Sequence, residues 1–99
     1  MYDKENDILA IHKGFASGER FRGNIVVGDL VLDMSTRDRV RGVEILGASA
    51  FLKEFGVTKR LLARLEAADF TATRKGESIL LSLLLKGVKD VAAKIAVMG

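Results

Sequence analysis

The sequence predicts an α+β domain, mainly an antiparallel sheet of about seven short strands, with two short helices between the fourth and fifth strands. Short runs rich in Val, Ile, Leu and Phe recur between turn residues, which is the signature of strands. Helical spacing of apolar residues replaces this pattern only between Ser49 and Ala68. A chain of 99 residues has material for one hydrophobic core, so residues 1–99 are read as a single domain.

Taken in order, Asp7 to His12 reads as the first strand, and Gly14, Ser17 and Gly18 punctuate a loop over Lys13 to Glu19. Arg20 to Val27, Asp29 to Met34 and Val40 to Leu46 follow as a strand meander, broken at Gly28 and at the polar run Ser35 to Asp38. Ser49 is placed to cap a short helix with Phe51, Leu52 and Phe55 on one face, which Gly56 ends in the left-handed conformation. Val57 then folds back on Leu52. Thr58 caps a second helix through Ala68, with Leu61, Leu62, Leu65 and Ala68 toward the core and Arg60, Arg64 and Ala67 on the polar face. Beyond Asp69, Phe70 to Lys75, Ile79 to Leu85 and Val88 to Val97 read as three more strands, turned at Gly76-Glu77 and Lys86-Gly87.

Composition removes several functions. Without Cys there is no disulfide, thiol nucleophile, thiolate zinc site or cysteine-held iron–sulfur cluster. His12 is the sole histidine and has no clustered ligands, so neither a metal nor a cofactor is expected. Met1 to Asp7 is polar rather than a secretory leader. Ile79 to Leu85, interrupted by Ser82, is far shorter than the roughly 20 residues of a membrane span. A cytoplasmic protein without membrane contact is the expectation. The lack of Cys and Gln, with only Asn6 and Asn24 among the amides and 29% charged residues, leans toward a thermophilic source.

Two segments carry a family likeness. Tyr2-Asp3-Lys4-Glu5, running through Asp7 into Ile8, and Gly42-Val43-Glu44-Ile45-Leu46-Gly47-Ala48-Ser49 together resemble the uncharacterised family known as domain of unknown function 2283, over about the first 56 residues. Asp33 fits an acidic position of that family, while Gly47 stands where its pattern carries Asp. The resemblance implies a small, mostly β domain without an assigned reaction, some members of which are predicted antitoxin partners of small toxin-like proteins. It supplies no catalytic residues.

Candidate site residues follow from charge and alternation. Glu44 lies between Val43 and Ile45 and therefore on the opposite face of its strand, where it serves as a partner contact or a solvated strand carboxylate. Arg37, Arg39 and Arg41 share a parity, and Lys59, Arg60 and Arg64 occupy the second helix, together offering sites for an anionic partner; the net charge is +3. Lys59 and Arg60 sit in a first helical turn, which the helix dipole disfavours. Neutralisation by Asp29, Asp33, Asp38, Glu66 and Asp69 is the plain alternative, including a cross-strand pair of Asp33 with Arg41. Gly14-Phe15-Ala16-Ser17-Gly18 lacks the Gly-Lys-Ser/Thr ending of a phosphate loop and reads as a hairpin loop.

Several strands are apolar on both faces. Leu80 and Leu84 oppose Ile79, Leu81, Leu83 and Leu85, and Leu9 and Ile11 oppose Ile8 and Ala10. The second face must meet another sheet, close into a partial barrel or bind another chain. The favoured reading is a non-enzymatic interaction module that forms a homodimer or captures another small protein, with weak nucleic-acid binding through the basic residues as the alternative and an enzyme third.

Overall fold

The computed structural model describes residues 1–87 and 89–98. Its eight strands form two antiparallel sheets. The first contains β1 (Tyr2–Asp3), β2 (Ile8–His12), β3 (Phe21–Val27), β4 (Leu30–Ser35) and β5 (Val40–Leu46), in the spatial order β1-β2-β5-β4-β3. The expected meander is therefore β3 to β5, and β2 completes it by pairing with β5. A helical segment follows, with α1 (Ala48–Phe51), a single 3₁₀ turn (Lys53–Phe55) and α2 (Lys59–Ala63). The chain then builds a second sheet from β6 (Ala67–Lys75), β7 (Ser78–Lys86) and β8 (Val91–Met98), in that order.

The inner face of the first sheet presents Leu9, Ile11, Leu32, Val43 and Ile45, and that of the second presents Phe70, Leu81, Leu83, Leu85 and Ala93. Both sets belong to one buried cluster, joined by Leu52, Val57 and Leu62 from the helical segment. Alternation explains the arrangement: in each central strand every second residue turns inward, and the sheets face one another across the shared core.

Where the sequence reading departs from the structure, local turn geometry and strand pairing between distant segments are the causes. Eight strands replace about seven because Tyr2–Asp3 pairs with Ile8 and Leu9 across a turn held by Asp3, which accepts from the backbone N–H and side-chain amide of Asn6. One expected sheet is two. Ser49 is not the cap of α1; Gly47 takes that place in the left-handed conformation, with φ of 60°. Thr58 does cap α2, accepting from the Leu61 N–H at 3.1 Å. That helix stops at Ala63 rather than Ala68, because Glu66 N–H already bonds Lys86 and Ala67 and Ala68 pair with Lys86 and Leu85 as the start of β6. Gly56 is left-handed as expected, and Val57 N–H bonds back to Leu52. The final strand begins at Val91, while Val88 lies outside the described residues. Among those residues, no helix is long and apolar enough to cross a membrane.

Candidate functional site

The expected arginine face is reorganised around a carboxylate that the sequence reading left in a loop. Glu19 has a fully buried side chain. Arg39 grips it side-on, Nε donating to Oε2 at 2.8 Å and Nη2 to Oε1 at 2.6 Å. The Ser35 hydroxyl donates to Oε2 at 2.6 Å and the Ala16 N–H to Oε1 at 2.9 Å. A buried carboxylate needs such partners, because desolvation of an unpaired charge is severe. Hydrogen bonding from Arg39, then from Ser35 and Ala16, holds the Glu19 carboxyl well below the usual carboxylate range against the opposing effect of burial.

Neighbouring arginines fasten the same loop. Arg37 donates from Nη2 to the Ser17 carbonyl at 2.8 Å, and Arg41 donates from Nε to the Gly14 carbonyl at 2.7 Å. They stay on one side, but not through plain strand alternation. Arg37 lies in the turn before β5, and the register slips between Asp33 and Met34 so that Met34 faces Val40 while Asp33 faces Gly42. The extra residue at Arg41 is a bulge, which turns its side chain toward the loop. The anticipated Asp33–Arg41 pair is thus replaced: Asp33 accepts from the Asn24 side-chain amide.

Beside this network, the two sheets part to leave a cleft of about 310 Å³. Met34, Val40, Phe70 and Ile79 supply apolar lining, and Lys13, Arg39, Arg41 and Arg74 supply cations. Asp38 closes one end by joining Arg22 of the first sheet at 2.9 Å to Arg74 of the second at 2.6 Å. Lys13 lies 4.8 Å from the centre of the Phe70 ring and 3.5 Å from Asp69.

The remaining basic candidates are elsewhere. Lys59, Arg60 and Arg64 line a separate hollow of about 380 Å³ together with Lys4. The structure therefore divides the six basic candidates between two places. Glu44 is half-buried on the outer face of the first sheet, cross-strand from Ala10 and Val31, in a depression shared with His12 and Asp33. There His12 accepts the Gly14 N–H at Nδ1, 2.8 Å away. Among the described residues, no group of three or more His, Asp or Glu is arranged to hold a metal ion.

The two segments that carried the family likeness meet in space. Asp7, in the left-handed region with φ of 54°, accepts the Tyr2 hydroxyl at 2.6 Å, the Ser49 hydroxyl at 2.7 Å and the Ser49 N–H at 3.1 Å. Its carboxylate thus satisfies the first turn of α1 from another element, which is why Ser49 is occupied as a donor instead of capping. Residues 1–49 match the family described as Protein of unknown function (DUF2283). The DUF2283 match ends on the serine that closes this contact, and it covers the first sheet and the start of α1. No curated protein and no solved structure matches the chain.

Sequence reasoning missed Glu19 and Asp7 as organising groups. Glu19 carried a faint signal, since an acid beside Arg20 and Ser17 in a glycine-bounded loop has nearby donors; its burial depends on residues some twenty positions away.

Proposed function

We propose that this protein is a non-enzymatic interaction module that pairs with a second copy of itself through the outer face of the β6–β8 sheet. The observation that carries the reading is the exposure of Leu80 and Leu84, 46% and 41%, on a regular sheet face. Cross-strand pairing places Ala96 beside Leu80 and Ala92 beside Leu84, both exposed, so the apolar strip extends from β7 onto β8. Apolar side chains aligned on a flat face are the usual mark of an interface rather than scattered surface residues.

Charge favours a second copy as the occupant. Asp69 on β6 borders the strip beside Leu84, and Lys94 on β8 lies between Ala92 and Ala96, one cross-strand row away at the opposite edge of the sheet. A two-fold axis parallel to β7 lays β6 over β8 of the other copy and brings each Asp69 toward a Lys94. Three strands of this length cover roughly 400 Å² per copy, from ordinary strand spacing and rise. A standard stable interface takes about 800 Å² per partner, so the pair is a weak one that dissociates on dilution.

The test is the solution mass by light scattering behind a sizing column, over a dilution series. The parent chain shifts from dimer to monomer as it is diluted, and Leu80→Lys with Leu84→Lys is monomeric throughout. A parent that stays monomeric at the highest concentrations overturns self-pairing and leaves the face for another small protein.

A second reading, weak nucleic-acid binding, draws on the solvated cluster of Lys4, Lys59, Arg60 and Arg64. Arg37, Arg39 and Arg41 contribute little to it because they lie apart from that cluster, against the Glu19 loop and the cleft between the sheets. Salt-sensitive mobility shifts that vanish on charge reversal at Lys59, Arg60 and Arg64 support this alternative; shifts indifferent to those changes remove it.

A further inference from the structure

The cleft between the sheets is built differently from either surface discussed so far. Its lining combines an apolar base with four cations contributed by separate segments: Lys13 from the loop, Arg39 and Arg41 at the head of β5, and Arg74 from β6. At about 310 Å³ it has the size of a small-molecule site at the lower end of the usual range.

Two guanidinium groups are held ready. Glu19 fixes Arg39 through Nε and Nη2, and the loop carbonyls of Gly14 and Lys13 fix Arg41 through the same pair of nitrogens. Among the described residues, Nη1 of each has no hydrogen-bond partner, so both retain donors although their orientation is already set. Arg74 is bound only through Nη1, to Asp38, and keeps Nε and Nη2. A ligand meeting these groups meets donors whose ordering cost has been met in folding.

The charge balance also favours an anion. Glu19 lies 2.6 Å from Arg39 and 4.0 Å from Arg41, one carboxylate between two guanidinium groups, and with Asp38 on Arg22 and Arg74 and Asp69 on Lys13 three carboxylates face five cations. Planar guanidinium groups both chelate oxyanions and stack on flat apolar bodies. We propose that the cleft binds a small aromatic carboxylate, its carboxylate taken by Arg39, Arg41 and Arg74 and its ring set against Met34, Val40 and Ile79.

The experiment is a titration of the isotope-labelled full chain with 2-naphthoate, followed by amide chemical shifts, with neutral 2-naphthamide as the matched control. Saturable shifts gathered at residues 39–41, 70–74 and 79, absent with the amide, are expected. Arg74→Gln, at an exposed site away from the buried cluster, weakens binding about tenfold, the effect of losing a charged hydrogen bond. Arg41→Gln weakens it similarly; should that variant lose its loop structure, the Arg74 variant still decides. Charge removal at Lys59, Arg60 and Arg64 leaves the affinity unchanged. Repeating the titration in Leu80→Lys with Leu84→Lys separates this site from self-pairing. Absence of saturation, equal binding of the neutral amide, indifference to Arg74→Gln, or shifts confined to the helix or to the outer face of β7 each overturn the proposal.

Discussion

Two side chains report their surroundings directly. Tyr2 is the only tyrosine and there is no Trp, so its titration is spectroscopically isolated. Burial, followed by the hydrogen bond to Asp7 and the nearby Asp7 and Asp3 charges, pushes its hydroxyl up to about 12. Tyrosinate absorbance is expected to rise well above the ordinary value of about 10, and Asp7→Asn should bring the midpoint back down. A midpoint near 10 in the parent chain contradicts the Tyr2–Asp7 contact. Glu19 gives the opposite case. Its folded pKa is lowered, so on the acid side of the ordinary carboxylate range, about 4.3, the unfolded chain takes up a proton that the folded chain refuses. Stability from this group is complete above that range and is lost as pH falls toward the folded value. Asp7, held low first by the Ser49 hydroxyl, and Asp38, held low first by Arg22, act in the same direction. Thermal unfolding measured from neutral pH down to pH of about 3 should show falling stability, with a shallower slope in Glu19→Gln. An equal slope in both chains removes Glu19 from the acid response.

Among the strands, β5 is shaped by what lies over Gly42. A β-carbon there comes within 2.5 Å of Asp33 Oδ2 and 2.7 Å of His12 Cδ2, so the strands on either side of Gly42 send their side chains across it. Gly42→Ala must displace both and is expected to destabilise the fold by about 1–3 kcal/mol, read as a lower midpoint in urea. An unchanged midpoint argues that His12 and Asp33 swing aside freely. This close approach was partly legible: a glycine inside an apolar strand announces a bulge or a crowded backbone, and the bulge lies one residue away at Arg41. The strand alternation of β2, β4, β5 and β7 was legible for the same reason, because each buries one face. The end of α2 was not. Leu65 and Ala68 continue the helical spacing of Leu61 and Leu62, but the pairing of Ala67 and Ala68 with β7 supplies backbone partners that the helix spacing does not reveal. Tertiary pairing outweighed local propensity there. The three arginines do reach one loop, by way of the turn and the bulge rather than strand alternation, and the Glu19 network was hidden because its members come from residues 16, 19, 35 and 39, with no local periodicity to join them.

On the scale of the whole molecule, the family match and the buried core have different boundaries. The DUF2283 match stops at residue 49, whereas the buried cluster continues without interruption through Leu52, Val57 and Leu62 to Phe70, Leu81, Leu83 and Leu85. Leu9, Leu32 and Ile45 are completely inaccessible in the intact chain, and the second sheet together with the helical segment forms the other side of the core that encloses them. Removing that cover exposes an apolar sheet face, and five short strands with one face open to water cannot recover by hydrophobic burial the conformational entropy of ordering them. A fragment of residues 1–56 is therefore expected to lack a cooperative thermal transition and to give collapsed amide spectra or aggregate, while the full chain unfolds in one step. The same logic predicts that Leu81→Ala, in the second sheet, costs about 2–5 kcal/mol and unfolds both sheets together, since the cavity opens in a core that they share. If the fragment instead gives dispersed amide spectra with its own sharp transition, or if Leu81→Ala melts the second sheet while Tyr2 keeps its raised titration, the two sheets are separate units and the shared core is not what holds the first sheet in place.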